Sequence, residues 1–431
     1  MSRALPLPIQ VYRTSVGLLE PAAAGLLAWR RRRGLEEAAR IGERQGYPGR
    51  ARPAGPLVWI HGASIGESLS LLPIVERIAQ RGVNVLVTSG TRTSANLLAR
   101  RLPPGAFHQF IPLDVPRYMR RFLDHWLPDL ALFAESEIWP NTVLEIEARG
   151  VPLVLVNGRI SDRTFRRWQR LPTMIGALLG RYDLCLAQSA VDAERLAHLG
   201  APRVAVSGNL KFDTPPPAAD PRMVAQLSGM VAGRPVWLAA STHPGEDEAV
   251  IAAHQALAAR WPGLLTIIAP RHPQRGADIA GLVRQAGLAG ARRSAGHLPE
   301  RGTDVYVADT VGEMGLLYRL SPVVFVGGSL VPHGGQNPIE PAKLGAAIVH
   351  GEHVHNQRDP YAALHAAGGA EVVADEEELA AAIHRLLADP ARTRAMARAA
   401  ADAVNAIGGA VERTMQSIEP FIVPLKRADA R

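Results

Sequence analysis

One stretch near the start of the chain, Leu57–Ser68, constrains the fold more than any other part of the sequence. Four consecutive apolar residues and a histidine are followed by a loop with two glycines and a serine, and apolar residues then recur at helical spacing. This order is typical of a buried parallel strand that leads through a glycine-rich loop into a helix. It predicts that Glu67 lies at the carboxyl end of a strand, the edge at which open α/β sheets bind ligands.

The position of Glu67 allows two interpretations. Glycines let a ligand approach the backbone, and free N–H groups at a helix N-terminus favour an anion. The helix dipole also favours an ionised carboxylate, which suits a general base. The alternative is that Glu67 only caps the helix. For an isolated Gly-x-x-x-Gly-Glu motif that alternative is the better one, so the choice depends on the rest of the chain.

Strands and helices alternate along most of the sequence. The predicted strands are Leu57–His61, Val83–Thr88, Asp129–Phe133, Pro152–Val156, Leu184–Ala187 and Val204–Val206, and then Val236–Ala240, Leu264–Ala269, Val305–Ala308, Val323–Val326, Ala347–His350 and Glu371–Ala374. Between the two sets, residues 208–221 contain three consecutive prolines, which cannot continue a helix or a central strand. The sequence therefore predicts two doubly wound parallel sheets joined by a linker. A final helix near residues 410–418 could cross back to the first domain.

Charge and cysteine content restrict the partners. Lysine and arginine total 48 against 40 aspartates and glutamates, a net charge of +8 that suits an anionic membrane or substrate. It would also suit nucleic acid, but no nucleic-acid motif accompanies it, and no such partner is predicted. Cys185 is the only cysteine and lies in an apolar run. This excludes an internal disulfide and a cysteine-based metal site, and predicts a buried residue.

Two further segments carry polar residues directly after predicted strands. Phe133–Asn141 reads Phe-Ala-Glu-Ser-Glu-Ile-Trp-Pro-Asn, and Gly327–Ala342 contains two glycine pairs followed by Gln-Asn-Pro-Ile-Glu-Pro-Ala. Together with Leu57–Ser68, these motifs resemble those of the 3-deoxy-D-manno-octulosonate (Kdo) transferases, which add Kdo from CMP-Kdo to lipid A precursors. The resemblance extends from about Arg30 to beyond Asn356.

The resemblance implies an α/β protein of the GT-B glycosyltransferase class, with two Rossmann-like domains facing a cleft. The expected divisions are a membrane-associated segment (1–33), an acceptor-binding domain (34–207), the linker (208–221) and a CMP-Kdo-binding domain (222–431). The implied reaction is inverting transfer of Kdo to lipid IVA or Kdo-lipid IVA, with Glu67 as general base. How many Kdo units are added stays open.

The residues expected on the acceptor side of the cleft are Ser64, Gly66, Glu135 and Glu137. In the family that the chain resembles, the Glu-x-Glu-x-Trp-Pro-Asn motif lies in this region. Residues two apart on a strand point to the same side, but they can diverge at a turn, so which glutamate faces the cleft stays open. The alternative is a helix-capping arrangement supported by Ser136 or Glu137.

The residues expected to bind the donor come mostly from the second domain. Arg271 directly follows a predicted strand and can bind a phosphate or a carboxylate, both of which CMP-Kdo carries. Asn337 and Glu340 lie three apart on one predicted helix face, and the resemblance implies that the glutamate holds ribose hydroxyls. The full set is Lys211, Pro270, Arg271, Gly312, Glu313, Met314, Asn337 and Glu340. Lys211 could also be an ordinary linker lysine.

The N-terminal segment predicts contact with a membrane. Residues 9–29 are mostly apolar and are followed by four arginines, Arg30–Arg33. A spanning helix needs about 20 apolar residues, and Arg13, Glu20 and Pro21 interrupt this run. An amphipathic helix lying in the interface on the cytoplasmic face of the inner membrane is therefore expected. One alternative is a helix that spans the membrane, in which case the arginines would hold the body of the protein in the cytoplasm. The other is an ordinary helix packed on the domain.

No cofactor and no metal are predicted. His333, His350, His353 and His355 are close in sequence, but the chain lacks an Asp-x-Asp motif for a nucleotide-bound cation. Two other functions stay open at this point. One is another GT-B nucleotide-sugar enzyme, namely a UDP-sugar lipid glycosyltransferase or an epimerase. The other is a nucleotide-binding module without catalysis, which would not need a carboxylate at Glu67.

Overall fold

The computed structural model describes residues 5–428 and contains two compact units. The first unit comprises the chain up to Thr214 together with the residues from Gly408 onward, and the second comprises Pro215–Ile407. The change of unit after Thr214 falls inside the proline-rich stretch 208–221. The second unit ends at Ile407 and not at the end of the chain, because the last helix packs in the first unit.

The first unit contains a seven-stranded sheet in which every pairing is parallel. Its elements are α1 (Leu7–Leu18), α2 (Glu20–Arg32), β1 (Leu57–His61), α3 (Ile65–Ala79), β2 (Asn84–Ser89), α4 (Arg92–Arg101), β3 (Ala106–Phe110), α5 (Pro116–Trp126), β4 (Leu130–Ala134), α6 (Pro140–Glu147), β5 (Leu153–Gly158), α7 (Asp162–Trp168), α8 (Pro172–Leu179), β6 (Leu184–Ala187), α9 (Ala190–His198) and β7 (Val204–Val206). Two short 3₁₀ helices lie at Ala38–Gln45 and Leu210–Asp213.

The strand order β3-β2-β1-β4-β5-β6-β7 explains why β1 is continuously apolar. Leu57 and Trp59 enter the hydrophobic core on one face of the sheet, and Val58 and Ile60 enter the core on the other. A strand covered on both faces cannot alternate apolar with polar residues. The order of the chain reverses between β1 and β4, so the unit has a topological switch point at their carboxyl ends.

The second unit repeats this plan with a second seven-stranded parallel sheet. Its elements are α10 (Pro221–Val231), β8 (Val236–Thr242), α11 (Glu246–Ala258), β9 (Leu265–Pro270), α12 (Gly276–Gln285), β10 (Gly290–Arg292), β11 (Val305–Val307), α13 (Met314–Leu320), β12 (Val323–Val326), α14 (Ile339–Lys343), β13 (Ala347–His350), α15 (Arg358–Ala366), β14 (Ala370–Val372), α16 (Glu376–Ala388) and α17 (Pro390–Ile407). The strand order is β10-β11-β9-β8-β12-β13-β14, and the switch point lies between β8 and β12.

All twelve predicted strands are present, but two edge strands were not predicted. β3 has the sequence Ala-Phe-His-Gln-Phe, and its first three residues are only half-buried. β10 has three residues, Gly-Ala-Arg, of which only the alanine is buried. An edge strand with one paired side needs no continuous apolar run, so neither gives the signal of a central strand.

The last helix, α18 (Ala410–Ala428), returns the chain to the first sheet. Its residues Met415, Ile418 and Ile422 are buried in the same core as Val58 and Ile60 of β1. Asp213 accepts hydrogen bonds from the backbone N–H groups that precede and begin this helix. The sequence had suggested that a helix near residues 410–418 crosses back to the first domain.

The N-terminal segment forms two helices, α1 and α2, instead of the single helix expected. Glu20 and Pro21 start the second helix, since proline is favoured in a first turn. Ile9 and Leu27 are buried, whereas Leu18 and Leu19 at the junction are 77% and 59% exposed. No helix among the described residues is long and apolar enough to cross a membrane.

Candidate functional site

The first candidate site lies at the switch point of the first unit, where β1 and β4 end. Glu67 is in the first turn of α3 and is only 9% exposed. One carboxylate oxygen accepts the backbone N–H of Ala63 at 2.8 Å, and the other accepts the hydroxyl of Ser64 at 2.7 Å. The Ser64 oxygen in turn accepts the N–H of Glu67 at 3.3 Å. This reciprocal pattern resembles a capping box, except that Glu67 accepts the N–H of the residue before the N-cap Ser64 and not that of Ser64 itself.

Capping and proton transfer are compatible at Glu67. An ionised carboxylate offers about four lone-pair directions, and these two hydrogen bonds occupy one on each oxygen. The cap therefore orients the carboxylate and leaves acceptor capacity free. The side chain is more enclosed than the sequence suggested, because it folds back over its own loop.

Glu135 and Lys211 form an ion pair at the same sheet edge. The Lys211 ammonium donates to a Glu135 carboxylate oxygen at 2.7 Å. A Cβ added to Gly66 would lie 3.9 Å from the Lys211 side chain, so Lys211 also lies beside the start of α3. The structure thus brings Gly66, Glu135 and Lys211 together. Lys211, which was predicted to bind the donor, is a residue of the first unit.

The backbone around this pair adopts uncommon conformations. Glu135 follows β4 with φ of 55°, and Asn157 near the end of β5 has φ of 53°. Residues other than glycine held in the left-handed region cost roughly 1–3 kcal/mol each and cluster at functional sites. The Asn157 side chain accepts the backbone N–H of Leu210 and so fixes the 3₁₀ turn that carries Lys211. Sequence reasoning missed Asn157, since its contact is with a residue 53 positions away.

Glu137 faces a different set of partners. His61, the last residue of β1, lies 3.5 Å from its carboxylate, and the Trp139 indole N–H donates to it at 2.6 Å. Burial raises the pKa of Glu137, but the hydrogen bonds from His61 and Trp139 outweigh it and hold the pKa below its ordinary value. Of the two glutamates, Glu135 contacts Lys211 and Glu137 contacts His61. His61 was not among the predicted site residues, although its place at a strand end was the signal.

The second candidate site lies at the switch point of the second unit. Glu246, fully buried at the start of α11, accepts four backbone N–H groups at 2.7–3.0 Å. One belongs to His243 in its own loop, and three belong to Gly328, Ser329 and Leu330 in the loop after β12. A Cβ added to Gly327 would lie 2.7 Å from the carbonyl oxygen of Ser241, so glycine is needed there. One carboxylate therefore ties together the two loops at this edge.

Arg271 and Glu340 lie near each other beside these loops. Burial raises the pKa of Glu340, and the Arg271 guanidinium partly offsets this. The Arg271 side chain is exposed. Burial lowers the pKa of His243 to about 4, and the positive charges of His333, His272, Arg275 and Arg271 add to this effect. The edge thus presents a cation, a half-buried carboxylate and a neutral imidazole, a set that suits a nucleotide.

The other predicted donor residues have structural partners. The Asn337 side chain accepts the backbone N–H of Ile339, the first residue of α14, and Pro270 is the buried last residue of β9. Glu313 precedes Met314, the first residue of α13, and receives a bidentate contact from Arg293 at 2.6 and 3.0 Å. That contact, stronger than the opposing effect of burial, lowers the pKa of Glu313. Gly312 has positive φ.

The histidines do not form a metal-binding group. The His333 ring stacks on His243 at 3.8 Å between centroids, and the His350 ring nitrogen lies 2.8 Å from that of His365. Within residues 5–428, no set of three or more histidine, cysteine or acidic side chains is arranged to hold a metal ion.

The chain is similar in sequence to one family of transferases. The family described as 3-deoxy-D-manno-octulosonic-acid transferase (kdotransferase) matches residues 39–214. The transferase of that name from Haemophilus influenzae is 32% identical over 390 residues, covering 89% of this chain and 91% of the relative. The one from Bordetella pertussis is 38% identical over 384 residues, covering 86% and 90%.

Two solved structures share the fold at low identity. A glycosyltransferase from Rickettsia africae has a TM-score of 0.58 and 12% identity, covering 86% of this chain and 99% of its own. A putative UDP-N-acetylglucosamine 2-epimerase from Listeria monocytogenes has a TM-score of 0.54 and 14% identity, covering 82% and 94%. The predicted α/β fold of the GT-B class is confirmed by this likeness and by the two parallel sheets.

Proposed function

We propose that this chain, which belongs to the family of Kdo transferases, moves Kdo from CMP-Kdo to lipid IVA or Kdo-lipid IVA. The proposed transfer inverts the anomeric configuration and uses Glu67 as general base. The observation that carries the proposal is the Glu67 carboxylate, held by Ala63 and Ser64 at the switch point of the first unit with acceptor capacity to spare. The family match covers residues 39–214 of this unit. As a Kdo transferase, the protein is a glycosyltransferase.

The chemical step needs one proton acceptor and one anion stabiliser. The acceptor hydroxyl oxygen forms a bond to the anomeric carbon of Kdo while the bond from that carbon to the phosphate oxygen breaks. The bonding electrons leave with CMP, and the hydroxyl proton passes to Glu67. Positive charge near the phosphate stabilises the leaving group, and Arg271 is assigned that role.

Lys211 is assigned to the carboxylate of the Kdo unit. Its ammonium already pairs with one carboxylate, that of Glu135, and its side chain is 42% exposed. A sugar carboxylate can share this ammonium with Glu135, so that the Glu135 carboxylate, whose side chain is 17% exposed, keeps its partner. Glu135 then serves to hold Lys211 in place before the donor binds.

The proposed reaction uses no metal or other cofactor. CMP is a monophosphate, and Arg271 is the residue assigned to neutralise its charge. The function is tested by incubating the protein with CMP-Kdo and lipid IVA in EDTA and reading the product by mass spectrometry. We expect the mass of one or more Kdo units to be added. A product that forms from a UDP-sugar, or only after metal is restored, would contradict the proposal.

Replacing Arg271 or Glu340 with alanine should weaken donor binding and leave acceptor binding unchanged. Each change removes a charged hydrogen bond to the nucleotide, which is worth roughly 1.5–3 kcal/mol, or about tenfold to a hundredfold in affinity. Calorimetric titration with CMP measures the effect. The matched controls are Arg284→Ala on α12 and Glu248→Ala on α11, because both residues belong to the same unit. Equal CMP affinity in all four variants would remove Arg271 and Glu340 from the donor site.

We also propose that α1 and α2 hold the protein on the cytoplasmic face of the inner membrane. Leu18 and Leu19 are exposed at the junction of the helices, and Arg30–Arg33 end the second helix. Basic residues near an anionic surface contribute about 1 kcal/mol each. α1 is fixed to the first unit, because Tyr12 donates to Asp114 and Arg13 pairs with Glu145.

The double substitution Leu18→Gln/Leu19→Gln should release much of the protein from membranes. Inserting one leucine is worth about 1.5–3 kcal/mol, so the partition coefficient should fall at least tenfold. Deleting the segment would be a poorer test, since Ile9 is part of the core. The control is Val191→Gln/Val206→Gln, which alters two exposed apolar residues of the same unit. Sedimentation with vesicles of inner-membrane lipids gives the result, and equal binding by both variants would place the anchor elsewhere.

A further inference from the structure

Four arginines form a cationic surface on the first unit, which we call the arginine face: Arg163, Arg166, Arg167 and Arg170. They follow one another at helical spacing along α7 and the turn after it, so they share one side. All four side chains are exposed, and they line a cavity of about 570 Å³.

None of these four arginines forms an ion pair with any residue in the described range 5–428. Arg166 donates to the carbonyl oxygen of Asp162 in its own helix, and the Asp162 carboxylate pairs with Arg195 instead. Other basic side chains of this unit do have partners. Arg117 reaches Glu20, and Arg120 pairs with Glu145. The arginine face is therefore a concentration of uncompensated charge.

The position of the arginine face is fixed by its surroundings. The Ser161 side chain caps α7 by accepting the N–H of Thr164, and Asp192 accepts the N–H of Ile160 at 2.8 Å. Arg195 donates to the carbonyl oxygen of Ile160 at 2.6 Å. Like charges spaced three and four residues apart destabilise a helix, and the helix itself fixes the spacing of these arginines. Such an arrangement costs stability unless an anion binds.

The arginine face lies at the same sheet edge as the proposed base. β5 is the neighbour of β4 in the sheet, and α7 begins four residues after β5 ends. The backbone N–H of Arg159, in the connecting loop, donates to the carbonyl oxygen of Glu135 at 3.4 Å. The loop that leads to the arginine face is thus in contact with the Glu135–Lys211 pair.

From these observations we infer that the arginine face binds a phosphate group on the sugar head of the acceptor lipid. Guanidinium groups match phosphate oxygens with paired hydrogen bonds, and several arginines together suit a dianion. The donor phosphate is assigned to Arg271 and the donor carboxylate to Lys211, so both anionic groups of the donor already have partners and the arginine face is left for the acceptor. This inference rests on the proposed function, because it specifies the acceptor for the same reaction.

The test compares the double variant Arg163→Gln/Arg167→Gln with the wild type in detergent. Each protein is assayed on two acceptors. One acceptor carries its sugar phosphates, and the phosphates have been removed from the other. With the phosphorylated acceptor, we expect the double variant to raise the acceptor KM roughly tenfold or more, with kcat and the KM for CMP-Kdo unchanged. With the dephosphorylated acceptor, we expect the two proteins to behave alike. The melting temperature of the variant should equal or exceed that of the wild type, because charge repulsion has been removed.

Arg394→Gln/Arg398→Gln, on α17 of the second unit, is the matched control, since it removes two exposed arginines at the same spacing. It should leave the acceptor KM unchanged. Equal losses by the arginine-face variant on both acceptors would overturn the inference. So would an unchanged KM in detergent combined with weaker binding to anionic vesicles, which would assign the face to membrane headgroups. If the wild type transfers no Kdo at all, the proposed function fails instead.

Discussion

Replacing Glu67 with glutamine should lower the rate of Kdo transfer by ~10² to 10⁴-fold, the usual contribution of a general base. Glutamine keeps the length and one oxygen of the side chain but cannot accept a proton at neutral pH. It also preserves the cap, because glutamine replaces glutamate in capping boxes. The change therefore separates the two interpretations of Glu67 that the sequence left open. Single-turnover rates with CMP-Kdo and lipid IVA measure the effect.

Two further measurements make the Glu67 result specific. The melting temperature and the affinity for CMP should match the wild type, since the cap is retained and the donor residues lie in the second unit. Glu76→Gln, an exposed position on the same helix, should transfer Kdo at the normal rate. A Glu67→Gln enzyme that retains more than a tenth of the activity would show that Glu67 caps the helix and does nothing more.

The fold was predictable wherever strands are buried on both faces. Continuous apolar runs such as Val323–Val326 have a single interpretation in an alternating α/β sequence, and the structure has that strand with the predicted bounds. The edge strands β3 and β10 carry no such run, and pairing with one neighbour is a tertiary property. The break between α1 and α2 had a local signal, since Glu20 and Pro21 favour the start of a helix.

The candidate sites were predictable to the extent that they follow strand ends. Glu135 comes directly after β4, Glu67 follows β1 after a short loop, and the switch point places them at one edge. The contacts that hold the sites were not predictable, because they join distant backbone groups to side chains. Asn157 binds the N–H of Leu210, and Glu246 binds a loop 82 residues further along the chain. Neither contact leaves a pattern in the sequence.

Replacing Glu246 with alanine should strongly destabilise the second unit. The carboxylate is fully buried and accepts the N–H groups of His243, Gly328, Ser329 and Leu330. A buried donor left without a partner costs about 1–3 kcal/mol, so four of them should lower the free energy of unfolding by about 4 kcal/mol or more. Chemical denaturation, followed by hydrogen exchange at β8 and β12, measures the loss and locates it.

The conservative variant and a neighbouring residue show why the charge at Glu246 matters. Glutamine offers one acceptor oxygen and places an NH₂ group against two of the same backbone donors, so Glu246→Gln should also destabilise the unit. Glu248→Ala, two residues later and exposed, should change stability by less than about 0.5 kcal/mol. Since the loops held by Glu246 flank the proposed donor site, its loss should weaken CMP binding as well. A Glu246→Ala protein with wild-type stability would mean that water replaces the carboxylate at no cost, and that the two loops keep their arrangement without it.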